Sequence, residues 1–204
     1  HELLACRTAI KMQERLAVLR EQWQEEGERW PEIVHHMQNR IGINTGKMVT
    51  GNMGSESRMN YTMMGDTVNL AARLESSAKQ YGVYIQISDT TYESVKDQVV
   101  VRALDFVRVM GKTEPVKVFE LISEKDQEPE QYKKILPVFH EGLGHYFNQD
   151  WDKAIEAFKT ADELEEMFPG RKTNPSRIYI PRCENFKVNP PGDDWDGVWT
   201  QTSK

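Results

Sequence analysis

The sequence predicts an α+β layer fold followed by a small all-helical segment, and three observations carry that reading. Apolar residues recur at helical spacing over 2–26 and 66–79. Alternating or continuous apolar runs at 39–45, 47–52, 82–88, 99–109 and 116–122 read as strands between them. A charged stretch from Glu124 to Glu130, carrying Pro129, then separates all of this from a region with helical patterns only. The 204 residues therefore divide into a domain at 1–123, a linker at 124–131, and a helical segment at 132–204 that ends in an acidic, Trp-bearing tail.

Leu3, Ala9, Ile10, Leu16, Leu19 and Trp23 form one apolar stripe, with Lys11, Glu14, Arg15 and Glu21 between them, so the first helix is amphipathic and has to pack on a sheet. Gly27 to Pro31 interrupts it. Residues 39–45 and 47–52 alternate around Gly46, which reads as two strands with a tight connection. Asp66, or Thr67 one step on, is the expected cap of the helix after Gly65, with Val68, Leu70, Ala71 and Leu74 as its apolar contacts. Gly82 to Ser88 is a short buried strand, and Asp89 to Val95 a short helix capped by Ser88 or Asp89. Two further strands join at Gly111-Lys112-Thr113-Glu114-Pro115, a hairpin turn. Periodicity does not fix the topology.

Beyond the linker, Tyr132–Phe147 and Trp151–Phe168 read as helices, with a third starting at Pro175. Gly142, Gly144, Tyr146, Ala154, Ala157, Phe158 and Ala161 resemble the small-and-aromatic pattern of a tetratricopeptide repeat. One repeat cannot bury its apolar face alone, so it should dock on the first domain or continue elsewhere. The rings of Trp195 and Trp199 are expected to lie on the preceding helices.

The net charge of -6, most of it from residues 124–204, argues against nucleic acid as a partner, which would need a basic face. Cys6 and Cys183 are far apart and suggest neither a disulfide framework nor a zinc site, so a reducing, cytoplasmic setting fits. No run of about 18 apolar residues is present to span a membrane. The chain opens without Met and inside a helical pattern, as a piece of a longer protein would.

The most informative stretch is Tyr61-Thr-Met-Met-Gly-Asp-Thr-Val-Asn-Leu-Ala-Ala-Arg-Leu-Glu75, which turns from strand into helix. Its Asn69 and Arg73 are four apart, so an amide and a guanidinium sit one above the other and can reach one small ligand. Together with Arg40-Ile-Gly-Ile-Asn-Thr-Gly46 and Gly51-Asn-Met-Gly-Ser55, this stretch resembles, in order and spacing, the second half of a class III nucleotide cyclase catalytic domain, the family of adenylyl and guanylyl cyclases. Residues 40–122 carry the resemblance.

The resemblance implies a partial ferredoxin-like domain, an antiparallel sheet with helices packed on it, and a reaction in which the nucleotide 3′-hydroxyl attacks the α-phosphate and expels pyrophosphate. It implies that Asn69 orients the ribose and that Arg73 bears on the α-phosphate, where a planar fork serves better than a Lys point charge. Lys112 would contact the triphosphate from its hairpin, with Arg58 a further phosphate contact. Thr62 stands where the family reads the base; its hydroxyl permits adenine without forbidding guanine, so ATP is expected over GTP. Asp66 is expected to complement the helix dipole rather than bind metal. His35, His36, His140 and His145 lack ligand spacing. No metal-ligating residue is assigned.

Two ions, Mg2+ or Mn2+, are implied as cofactors, yet the family's two metal-holding aspartates lie on motifs before the helix with which this chain opens. The chain would thus carry half an active site, completed by a second cyclase domain in what should be a homodimer, and would be inactive alone. A cyclase-like module that senses nucleotide or dimerises without catalysis, or an interaction module built on the helical segment, are the alternative readings.

Overall fold

The computed structural model describes residues 1–107, 115–166, 171–192 and 194–198. Lys112 and Trp199 lie outside them. Helix α1 spans Glu2–Glu25, a 3-10 turn Gly27–Arg29 and short helix α2 Glu32–His35 follow, then strands β1 Ile41–Ile43, β2 Val49–Ser55 and β3 Arg58–Met64. Helix α3 covers Asp66–Tyr81, β4 Ile85–Ser88, α4 Asp89–Val95, β5 Val99–Val107 and β6 Val116–Glu124. The remaining helices are α5 Glu130–Phe147, α6 Trp151–Leu164 and α7 Pro175–Val188. The domain is α+β, as expected.

The main sheet has the order β1-β4-β6-β5, with β1 parallel to β4 and the other pairs antiparallel. Its two faces are distinguished by strand alternation. Phe119 and Leu121 meet Cys6 and Ile10 of α1 and Val95 of α4. Val118 meets Leu70, Leu74 and Ala78 of α3. Ser88 caps α4 by accepting from the Thr91 N–H, one of the two caps foreseen.

The two strands read around Gly46 do not pair with each other. Within that stretch β1 pairs with β4, and β2 pairs with β3 in a separate two-stranded ribbon running from Val49 opposite Met64 to Ser55 opposite Arg58. Alternation marks a strand without choosing its neighbour, and burial decided here: Ile41 and Ile43 pack into the α1 core, whereas every residue of β3 is exposed. Residues 51–55, similar to a turn motif in the sequence, belong to β2; the reversal is at Glu56-Ser57.

The stretch 124–131 is partly structured. A 3-10 turn at Lys125–Gln127 follows β6 directly and α5 begins at Glu130. Helices α5 and α6 approach closely where Gly142 faces Phe158, since a Cβ there would lie 2.9 Å from the ring. Phe139, Tyr146, Phe158 and Tyr179 fill the core of the three helices, and Trp195 lies against Tyr146 as expected of the tail. The helices dock on the sheet: the Tyr179 hydroxyl donates to the Leu104 carbonyl, and Arg102 of β5 pairs with Glu165 beyond α6.

Candidate nucleotide site on helix α3

Helix α3 leaves the ribbon through Gly65, at φ 144, a conformation that L side chains rarely adopt. Gly65 is itself the N-cap, and no side chain caps the helix, contrary to the Asp66 or Thr67 expected. Asp66 stands in the first turn, complementing the dipole. The Thr67 hydroxyl turns away from the helix and donates to the Lys47 carbonyl at 2.6 Å.

The segment from Arg40 to Gly46 grips α3 along its first two and a half turns. A Cβ on Gly42 would lie 2.2 Å from the Ala71 carbonyl oxygen and 2.5 Å from the Glu75 nitrogen; one on Gly46 would lie 2.3 Å from Thr67 Cγ2. Only glycine lets the helix backbone lie this close to the strand. Asn44 Nδ2 donates to the Thr67 carbonyl at 2.9 Å, and Arg40 pairs with Glu75 at 3.2 Å. Apolar periodicity gives no weight to Gly42, Asn44 and Gly46 as positioning residues; the signal was a glycine within a strand and another just beyond it.

Asn69 and Arg73 are both exposed on α3, one turn apart by helix geometry. Thr62 is exposed on β3 opposite Gly51, three residues before Gly65, so the strand carrying it runs straight into the helix. Arg58 is exposed at the far end of the ribbon opposite Ser55; six residues of strand rise put it roughly 20 Å from the ribbon base. The chain therefore gathers Asn69 and Arg73, leads Thr62 toward them, and leaves Arg58 at a tip. Lys112 is outside the described residues.

No three His, Cys, Asp or Glu side chains among the described residues converge to hold a metal. The donor set does not fit a two-ion centre. Cys6 and Cys183 are buried, and burial pushes their thiols up to about 11 and about 12, so neither is a thiolate at neutral pH. No described helix is long and apolar enough to cross a membrane.

A helix seated on a glycine-bearing strand, fed by a strand that ends in glycine and presenting an amide and a guanidinium on its solvent face, defines a nucleotide-cyclase-type domain. The chain belongs to the adenylate and guanylate cyclase catalytic domain family, whose model matches residues 3–123. It is 38% identical over 153 residues, 72% of its length, to the adenylate cyclase, terminal-differentiation specific, of Dictyostelium discoideum. That share exceeds what the family match accounts for, so the similarity runs on into the helices beyond β6. It is 35% identical over 122 residues, 60% of the chain, to adenylate cyclase 1 of Rhizobium meliloti. The chain spans only 7% and 17% of the length of these relatives. Among solved structures, the adenylyl cyclase CyaB from P. aeruginosa is 35% identical, with 59% of this chain and 58% of that one covered at a TM-score of 0.47.

Proposed function

We propose that this chain supplies one half of the active site of an adenylyl cyclase, which forms cyclic AMP and pyrophosphate from ATP in signal transduction. The observation that carries the proposal is the pair Asn69 and Arg73, exposed one turn apart on a helix whose seating is over-determined by Gly42, Asn44 and Gly46. In this reading Asn69 holds the ribose so that its 3′-hydroxyl faces the α-phosphate, and Arg73 stabilises the charge that builds there as the pyrophosphate oxygen departs. Thr62 accepts from the adenine amino group, while Lys112 and Arg58 bear on the phosphates. In this reading the two ions, Mg2+ or Mn2+, are held by carboxylates of the other half of the site; among the described residues here no three His, Cys, Asp or Glu side chains come together.

The partner is a second cyclase domain, most simply that of another copy of the full-length protein in a homodimer. Support comes from the ribbon and the residue that leads into it, where Met48, Val49, Met59, Tyr61, Met63 and Met64 are each more than half exposed, an apolar surface that an isolated domain would leave in water. Domain limits of 1–123 and 132–204, with a short connection, go with this reading.

Product analysis of the full-length protein that contains this sequence, supplied with ATP and GTP in turn, tests it. Cyclic AMP should dominate, and Thr62→Cys should raise the share of cyclic GMP. Cyclic GMP as the main product of the unaltered protein would overturn the base assignment, and no product from either would favour the second reading: a non-catalytic, nucleotide-sensing or dimerising module. What favours that reading is that no metal-ligand cluster forms among the described residues. A partner-binding role for residues 132–204 has less support, because the apolar faces of α5, α6 and α7 are turned onto one another and onto the sheet.

A further inference from the structure

We infer that Tyr81, Asp105 and Arg182 form a clamp through which α7 fixes the far end of α3, making the helices beyond β6 a positioning element for Asn69 and Arg73. Tyr81 is the last residue of α3 and is 1% exposed. Its hydroxyl donates to Asp105 Oδ2 at 2.6 Å, and Arg182 of α7 donates to the same oxygen at 2.6 Å. The Arg182 guanidinium also lies 6.0 Å from the Tyr81 ring centre and 5.1 Å from that of Tyr179. One carboxylate oxygen thus joins the sheet, α3 and α7.

The next residue is held as well. Gly82 ends α3 in the left-handed conformation, φ 65, and a Cβ there would lie 2.0 Å from the Thr173 carbonyl oxygen. Arg171 Nε donates to the Gly82 carbonyl at 2.7 Å, while its Nη1 pairs with Glu165 at 2.7 Å. Residues 171–182 therefore hold both Tyr81 and Gly82, and they lie outside the family match at 3–123.

The consequence for the site is geometric. The segment 40–46 grips α3 near Thr67, Ala71 and Glu75, so releasing the far end lets the helix pivot about that grip. At 1.5 Å of rise per residue, a pivot of ten degrees about Ala71, the middle of that grip, moves the Asn69 and Arg73 backbones by about 0.5 Å each in opposite directions, about 1 Å across the pair. The two groups would no longer address the same sugar and phosphate, and misplacement on that scale is costly to an oriented reaction. Tyr81, Asp105 and Arg182 are positioning residues: all three are buried.

Hydrogen exchange of the 204-residue chain tests the clamp without assuming any activity, and a kinetic arm then rests on the cyclase reading. Tyr81→Phe keeps the ring and removes one bond; Arg182→Met removes the cation. Exchange of the amides of residues 70–78 should quicken about tenfold in both, with α1 unchanged. Unchanged exchange of α3 in Tyr81→Phe, with only α7 loosened, overturns the proposal, and this milder variant decides if Arg182→Met unfolds the whole chain. In a full-length protein that makes cyclic nucleotide, Tyr81→Phe should lower kcat with KM nearly constant; equal kcat with a raised KM counts against positioning. A full-length protein with no activity at all defeats the cyclase reading and leaves the exchange result to judge the clamp.

Discussion

Arg102 on β5 donates two parallel hydrogen bonds of 2.8 Å to Glu165, a residue 63 positions later, and neither side chain reaches solvent. Arg102 Nε also donates to Glu120 at 2.7 Å, and Arg171 reaches Glu165 from the other side. Burial works to raise the Glu165 carboxyl pKa, but the Arg102 and Arg171 guanidiniums outweigh it and hold the group below the ordinary carboxylate range. Removing the cation takes a guanidinium from two buried carboxylates and leaves Glu165 with Arg171 alone. Arg102→Met should therefore cost about 3–5 kcal/mol, read as a lowered urea midpoint, and a cost under 1 kcal/mol would show the network to be dispensable.

Two glycines should respond to alanine in opposite directions. Gly42→Ala drives a methyl into the Ala71 carbonyl at 2.2 Å, so it should destabilise the chain by roughly 1–3 kcal/mol through overpacking. Gly144, exposed within α5, has nothing within 4 Å of an added Cβ, and Gly144→Ala should add about 0.5–1 kcal/mol. Denaturation midpoints moving the same way in both variants would contradict the close seating of α3 on β1.

Arg73→Ala, made in an active full-length protein, is expected to lower kcat far more than it raises KM, because its contact strengthens where charge develops in the transition state. Loss of one such donor costs on the order of a hundredfold or more in kcat. An unchanged kcat with weaker binding would assign Arg73 to ground-state recognition instead.

The 204-residue chain by itself is expected to make no cyclic AMP or cyclic GMP, even with magnesium or manganese in excess, since its described residues offer no ligand cluster. Mixing it with a chain that holds the metal-binding carboxylates should restore turnover. Measurable product from the purified chain alone would require a ligand set that the fold does not show.

His140 supplies a pH response. Its Nε2 accepts from the Ala103 N–H at 3.2 Å, which demands the neutral ring, and burial, followed by the Arg102 charge, lowers its pKa. A base whose pKa is lower folded than unfolded stabilises the fold above the unfolded value, about 6.5, and that stability is lost as pH falls from there toward the folded value. Melting temperatures should drop as pH falls below about 6.5, and His140→Gln should flatten that limb. An identical pH profile in the variant would remove His140 from the account.

The amino-acid sequence alone was enough to mark α1, α3, β5 and β6 within a few residues, because each carries a long stripe at one period. It also placed Asn69 and Arg73 on one helical face, since a spacing of four needs nothing but helix geometry. Tertiary structure alone decided the partners: that β1 pairs with β4 and not with β2, and that Gly65 opens α3 while Thr67 bonds Lys47. The same holds for the meeting of Arg102 with Glu165, and of Tyr81 and Asp105 with Arg182. Local patterns record which way a side chain faces, whereas pairing across 63 or 77 positions depends on which buried charges and backbones the packed layers bring together.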